Sequence, residues 1–124
     1  MKYLIMIYHS QRLHERWEGL SEAEREKGMQ AHLALIEDLV DSGEMVVSEA
    51  LADPSMAKRV SVDKDRTSTI DGPFPEVKEY LAGFYLIECD SLERALERAA
   101  QIPEAAVGGT VEVRPVQTST GLEM

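Results

Sequence analysis

Residues 70–88 read Ile70-Asp-Gly-Pro-Phe-Pro-Glu-Val-Lys-Glu-Tyr-Leu-Ala-Gly-Phe-Tyr-Leu-Ile-Glu88, and the placing of every other segment follows from them. Asp71-Gly72-Pro73 interrupts a β-like run, because Gly72 reaches backbone conformations closed to other residues while Pro73 fixes its own φ and removes a donor. Phe74, one of 2 phenylalanines in the chain, follows this corner with Pro75 behind it. Glu76–Leu81 is too short for an independent helix but long enough for a turn or two, and Phe84–Ile87 has the apolar content of an interior strand. A corner carrying an acid and an aromatic, then a Glu/Lys/Glu cluster, then a core strand can make a rigid pocket rim or a plain chain reversal. Residue chemistry alone leaves both open.

Downstream, Asp90 followed by Glu93 has the spacing of a capping box, and Leu92, Ala95, Leu96, Ala99 and Ala100 form the apolar stripe of a helix that Pro103 ends. Small residues on that stripe let the helix lie close to a sheet. Ala105–Gly109 reads as a loop and Thr110–Val116 as the last strand, after which the polar residues 117–124 are expected to form a flexible tail. Upstream, Lys58–Val62 and Thr67–Ile70 flank the turn residues Asp63–Arg66 as a polar, β-branched hairpin, peripheral rather than core. Met45–Ser48 is a short strand followed by the loop Ala52–Ser55. The main helix starts at the capping box Ser21/Glu24 and stops at Gly43, with Met29, His32, Leu33, Leu35, Ile36, Leu39 and Val40 on one broad face. Gly28 inside it costs about 1 kcal/mol against alanine, which calls for a close contact or a kink there. Tyr3–Tyr8 is apolar on both alternations, as a central strand is, and His9–Gly19 reads as a loop with a short helical turn.

The order is strand, helix, strand, hairpin, short helix, strand, helix, strand. Without the hairpin this is βαββαβ, so the expected class is α+β and ferredoxin-like with an inserted β-hairpin, in a single domain over residues 1–116. In that arrangement the sheet face away from the helices carries apolar side chains that nothing else in the chain covers. A homodimer through the open sheet face is the expected solution. The charge narrows the partners. The chain of 124 residues has 23 acids against 13 bases, a net charge of −10, with acids in excess in both halves. Such a balance argues against nucleic acid, which needs clustered Lys/Arg. Cys89 is the single cysteine, which excludes an internal disulfide and suits a reducing interior. With no secretory cleavage pattern and no apolar run long enough to span a bilayer, the expected setting is cytoplasmic and away from membranes.

Several landmarks in order carry a resemblance. The chain resembles the DGPF group of the YCII-related proteins, named for the Asp71-Gly72-Pro73-Phe74 string, and the likeness runs from Met1 to about Val116. It takes in the Tyr3–Tyr8 strand, the His32 helix, Gly43 with Glu49-Ala50-Leu51, Lys78-Glu79, Gly83-Phe84-Tyr85 and the closing Val111–Pro115. The resemblance implies a fold of the dimeric α+β barrel type, in which two sheets pack face to face. Most members of the family have no assigned activity. Members often lie beside sigma-factor genes, which permits a regulatory role.

His32 is the sharpest candidate, since it lies inside an apolar stripe where a surface histidine has no place. It is either an interior histidine satisfied by a backbone or hydroxyl partner, or a proton-transfer residue lining a cavity between helix and sheet. The resemblance implies the second, because His32-Leu33-Ala34 matches a helix histidine that the related proteins pair with an aspartate in a proposed active site. Asp38 and Asp41 sit on the helix's polar face, so Asp71 is the best carboxylate for the pair. Asp71 is also an ordinary turn residue that caps local amides. Glu49, at a strand end, Arg114, on the closing strand, and the aromatics Tyr8, Phe74 and Phe84 are candidate ligand-binding residues; each is equally at home as a surface charge or as packing. Lys78 and Glu79, one apart, do not point the same way. His9 and His14 are five apart, and with His32 would join in a metal triad only through long-range folding, so no metal is expected. A haem site would need a more spacious cavity, and no glycine-rich phosphate loop is present, so no cofactor is expected. Cys89 reads as a structural thiol. Two functions follow. One is a cofactor-independent enzyme that abstracts a proton from a small organic substrate, or eliminates from it, with His32 as base and Asp71 orienting it. The other is a non-catalytic small-ligand-binding or regulatory homodimer.

Overall fold

The computed structural model describes residues 1–117. The chain runs β1 (Lys2–Ser10), α1 (Gln11–Glu18), α2 (Glu22–Asp41), β2 (Met45–Ala50), β3 (Lys58–Asp63), β4 (Arg66–Asp71), β5 (Glu79–Glu88), α3 (Leu92–Ala100) and β6 (Thr110–Pro115), with 3-10 turns at Pro54–Met56 and Pro103–Ala105. Apart from Gln117, the expected tail lies outside the described residues.

Local chemistry sets most of these boundaries. Ser21 and Glu24 form the reciprocal capping box that starts α2. Where the sequence suggests a loop with a short helical turn, Ser10 caps a full helix: its Oγ accepts from Leu13 N at 3.2 Å and opens α1 directly off the end of β1. Trp17 of α1 then packs beside Gly28 of α2, which is the close contact that glycine called for. For α3 the cap is Ser91, accepting from Arg94 N at 3.1 Å, rather than Asp90. The short helix expected at Glu76–Leu81 does not form. Its second half continues β5 instead, because β1 runs on to pair His9 with Tyr80 and Ser10 with Glu79.

Four strands make one antiparallel sheet in the order β2-β5-β1-β6, and β3 with β4 makes a separate two-stranded sheet. Along β1, and along β5 from Gly83 onward, successive side chains alternate between the two faces. Tyr3, Ile5, Ile7, Tyr85 and Ile87 point toward the helices and pack with Leu35 and Leu39 of α2 and with Ala95, Ala99 and Ile102. Ile5, Leu39 and Ile87 are fully buried, each contributing about 2 kcal/mol of apolar burial. The buried stripe of α2 is narrower than expected, since Met29, Leu33 and Val40 are exposed.

The fold class expected from the sequence is corrected here. The structure is a mixed α+β fold with two open sheets, and neither a barrel nor a closed ferredoxin-like topology with an inserted β-hairpin forms. The physical reason is strand number and pairing. Closure takes about eight strands, whereas this sheet has four, ends at β2 and β6, and gains nothing from β3 and β4, which pair only with each other.

At the end of α2 an ionic cluster locks α2 to α3. Glu44 and Arg98 are both buried; Arg98 donates to Glu44 Oε1 at 2.7 Å, and Arg94 holds the same carboxylate from the rim at 2.9 and 3.0 Å. The Arg94 bonds, against the cost of burial and helped by Arg98 and Ser42, hold the Glu44 carboxyl down at about 2. Breaking a buried pair strands a charge. Arg98→Ala is therefore expected to lower unfolding free energy by about 3 kcal/mol in urea titrations. Arg114→Ala, on an exposed pair with Glu112, is expected to leave it unchanged within error.

Candidate functional site: two imidazoles on one buried carboxylate

The alternation that puts Tyr3, Ile5 and Ile7 in the core also puts the next residue on that face, His9, at the top of the helix layer. Directly across the strand pair is Tyr80, whose ring meets the His9 ring edge-on at 6.1 Å between centroids. From α2, His32 occupies the same stripe as Leu35 and Leu39 one turn toward the N-terminus and reaches Tyr85 of β5. Between the two histidines stands Glu104, carried by the 3-10 turn that Pro103 starts.

Glu104 Oε1 lies 2.7 Å from His32 Nε2, and Oε2 lies 2.8 Å from His9 Nε2. An ionised carboxylate only accepts, so each imidazole donates its Nε2–H, which assigns the tautomer of both neutral rings. His32 Nδ1 is then an acceptor for the Tyr85 hydroxyl at 3.0 Å. His9 Nδ1 takes no hydrogen bond from any described residue. Glu104 is 13% exposed at its side chain, against 31% for His9 and 26% for His32, so the carboxylate is sheltered while both rings reach solvent.

Burial alone would push the Glu104 carboxyl up; the bonds from His32 and then His9 outweigh it and hold the group at about 2, below its ordinary 4.5. Burial, together with the neighbouring Glu104 charge, pushes the Tyr85 hydroxyl up to about 12, so Tyr85 keeps its proton. Gly109 makes room for the carboxylate: a Cβ there would come within 2.7 Å of Glu104 Cβ, and its N–H already donates to the Glu104 carbonyl at 2.9 Å.

The residues singled out from sequence divide between three places. His32 is in the cluster just described. Asp71 is not: it pairs with Lys58 across the hairpin at 2.6 Å with its side chain 73% exposed, and both nitrogens of His32 are taken by Tyr85 and Glu104. Tyr8, Glu49, Phe84 and Arg114 share the opposite face of the four-stranded sheet. The register puts Arg114 beside Leu4, Phe84 beside Met6 and Glu49 beside Phe84, all out of phase with the core. There Tyr8 donates to Met6 Sδ and Arg114 pairs with Glu112. Phe74 lies elsewhere again, lining a cleft beside α1. Among the described residues no group of three or more His, Cys, Asp or Glu side chains is placed to hold a metal ion, and no helix is long and apolar enough to cross a membrane.

A family model, the YCII-related domain, matches residues 1–119. The chain belongs to the YCII-related domain family. An uncharacterised protein of Rhizobium meliloti (strain 1021) is 33% identical over 117 residues, covering 94% of this chain and 92% of that protein. Among solved structures, this YCII-related chain resembles 5-chloro-2-hydroxyhydroquinone dehydrochlorinase from Burkholderia phenoliruptrix AC1100, in complex with 2,5-dihydroxybenzoquinone. The TM-score is 0.52 at 16% identity over 97% of both chains, a likeness of fold.

Sequence reading missed Glu104, and no local pattern announces it, because an acid after a proline is an unremarkable turn. His9 was within reach: extending the Tyr3–Ile5–Ile7 alternation by two residues places it on the core side. The sheltered carboxylate has a pH consequence. A group held below its ordinary value adds stability above that value and loses it as pH falls through the folded one. The difference in unfolding free energy between wild type and Glu104→Gln is expected to be about 2 kcal/mol near neutrality and to shrink as pH falls from 4.5 to about 2, read from denaturant melts across that range.

Proposed function

We propose that this YCII-related protein is an enzyme without an organic cofactor, which takes a proton from a small organic substrate and, where a leaving group is present, completes an elimination. The observation that supports this is the single sheltered carboxylate bonded to two partly exposed imidazoles. A carboxylate that accepts Nε2–H fixes the ring and leaves Nδ1 as the basic atom, and it stabilises the imidazolium once the proton arrives. His9 has that nitrogen open. His32 has it engaged by the Tyr85 hydroxyl, which keeps its proton, so His32 holds Glu104 in place rather than meeting substrate. Glu104 takes the orienting part that sequence reading gave to Asp71.

The dehydrochlorinase whose fold this chain resembles suggests hydroxylated chloroaromatics as the first substrates to try. Chloride release from 5-chloro-2-hydroxyhydroquinone is expected with wild type, to fall at least about 100-fold in Glu104→Gln and in His9→Gln, and to persist in Asp71→Asn. Turnover that ignores Glu104→Gln would overturn the proposal.

The outer face of the four-stranded sheet supports a homodimer. Leu4, Met6, Phe84 and Leu86 form an apolar band there, with Val47 at its edge 40% exposed. We take a second copy to cover this band, and the working compartment to be the cytoplasm, where Cys89 stays reduced. Light scattering is expected to give twice the chain mass for wild type and the chain mass for Leu86→Glu; a monomeric wild type would remove the dimer.

A further inference from the structure

Beside the DGPF corner lies a cleft of about 620 Å³, within the range of small-molecule sites, whose walls come from the start of α1, the Pro54 turn and the 73–80 segment. Its apolar wall is rigid. Pro54, Pro73 and Pro75 have no side-chain freedom to lose, and Phe74 is held in place by the Arg59 guanidinium, 3.7 Å from its ring centroid and tied to Glu76 at 2.6 Å. Gly72 brings the corner hard against the Pro54 turn: its N–H donates to Ala57 O at 2.7 Å, and a Cβ there would collide with the Pro54 carbonyl oxygen. The Gly72–Pro73 peptide is cis.

The polar lining is as specific. Arg12 and Lys78 both line the cleft, and neither is paired with a described residue, in a chain whose net charge is −10. Asp53 is the one acid on the wall, and its Oδ2 accepts from Ser55 N at 2.9 Å, capping the Pro54 turn. Two uncommitted cations beside a wall of prolines and aromatics fit one kind of occupant. We propose that the cleft binds a small planar aromatic carboxylate, its ring against Phe74 and Tyr80 and its carboxylate on Lys78 and Arg12. Tyr80 joins this site to the histidine cluster, since it lines the cleft and meets the His9 ring edge-on. The site stands whether or not the histidine cluster turns a substrate over.

Cinnamate, titrated into the full-length protein and followed by amide chemical shifts, tests it. Saturable shifts are expected on residues 11–14 and 74–80, with cinnamamide, the neutral molecule of the same shape, binding at least about tenfold more weakly. Lys78→Gln and Arg12→Gln, on surface side chains that leave the fold alone, are each expected to weaken cinnamate about fivefold and to leave cinnamamide unchanged. His32→Gln is expected to bind cinnamate like wild type, which separates failure of this site from failure of the proton-transfer reading. Equal affinity for acid and amide, shifts confined to His9, His32 and Glu104, or no saturable shift would each overturn the proposal.

Discussion

Everything in this molecule hangs on the two-residue alternation of the central strand pair, β1 with β5. Because successive side chains point to opposite faces, one phase of each strand enters the helix layer and the other faces away. Tyr3, Ile5, Ile7, Tyr85 and Ile87 are the buried phase, and they set where α2 and α3 dock. The same phase of β1, continued past the point where the core ends, carries His9, and a register shift in β5 between Gly83 and Leu81 sets Tyr80 opposite it. The candidate site is thus the unfinished top of the hydrophobic core, where the apolar residues run out and polar ones keep the same geometry.

That origin explains how a carboxylate comes to be sheltered there. An acid taken out of water costs several kcal/mol unless it is hydrogen-bonded, and Glu104 meets the requirement with two imidazole N–H groups, one from β1 and one from α2. Each contact is worth more for being shielded, and each ring is fixed for being bound. The Glu44 cluster at the far end of α2 shows the contrasting use of the same physics. There the partners are guanidinium groups that stay charged at any working pH, so the cluster locks two helices and offers no exchangeable proton at neutrality.

The sequence was legible where a signal is local. The Ser21/Glu24 capping box starts α2, Gly28 finds its close contact, and the runs Tyr3–Tyr8 and Phe84–Ile87 form the central strands their apolar content marks. It failed where a competing long-range pairing won. Residues 79–81 went to β5 because β1 was there to pair with them, and the short helical turn expected after β1 grew into α1 because Ser10 capped it. Barrel closure failed on strand count, with β3 and β4 pairing only with each other. The aromatic and charged residues chosen as ligand contacts were read one at a time, while the sheet sorts them by phase, which sent Tyr8, Glu49, Phe84 and Arg114 to the face away from His32.

By itself, then, the amino-acid order determined the α+β class, the long histidine-bearing helix, the central apolar strands and the YCII-related family, the elements from spacing within about twenty residues and the family from landmarks in order along the chain. Only the tertiary structure decided which carboxylate His32 meets. That partner is 72 residues away in sequence, on a turn with no pattern of its own, and it is selected by the docking of α2 and the Pro103 turn over the same end of the sheet. Contacts of that kind depend on where separately formed elements come to rest, and no local periodicity encodes them.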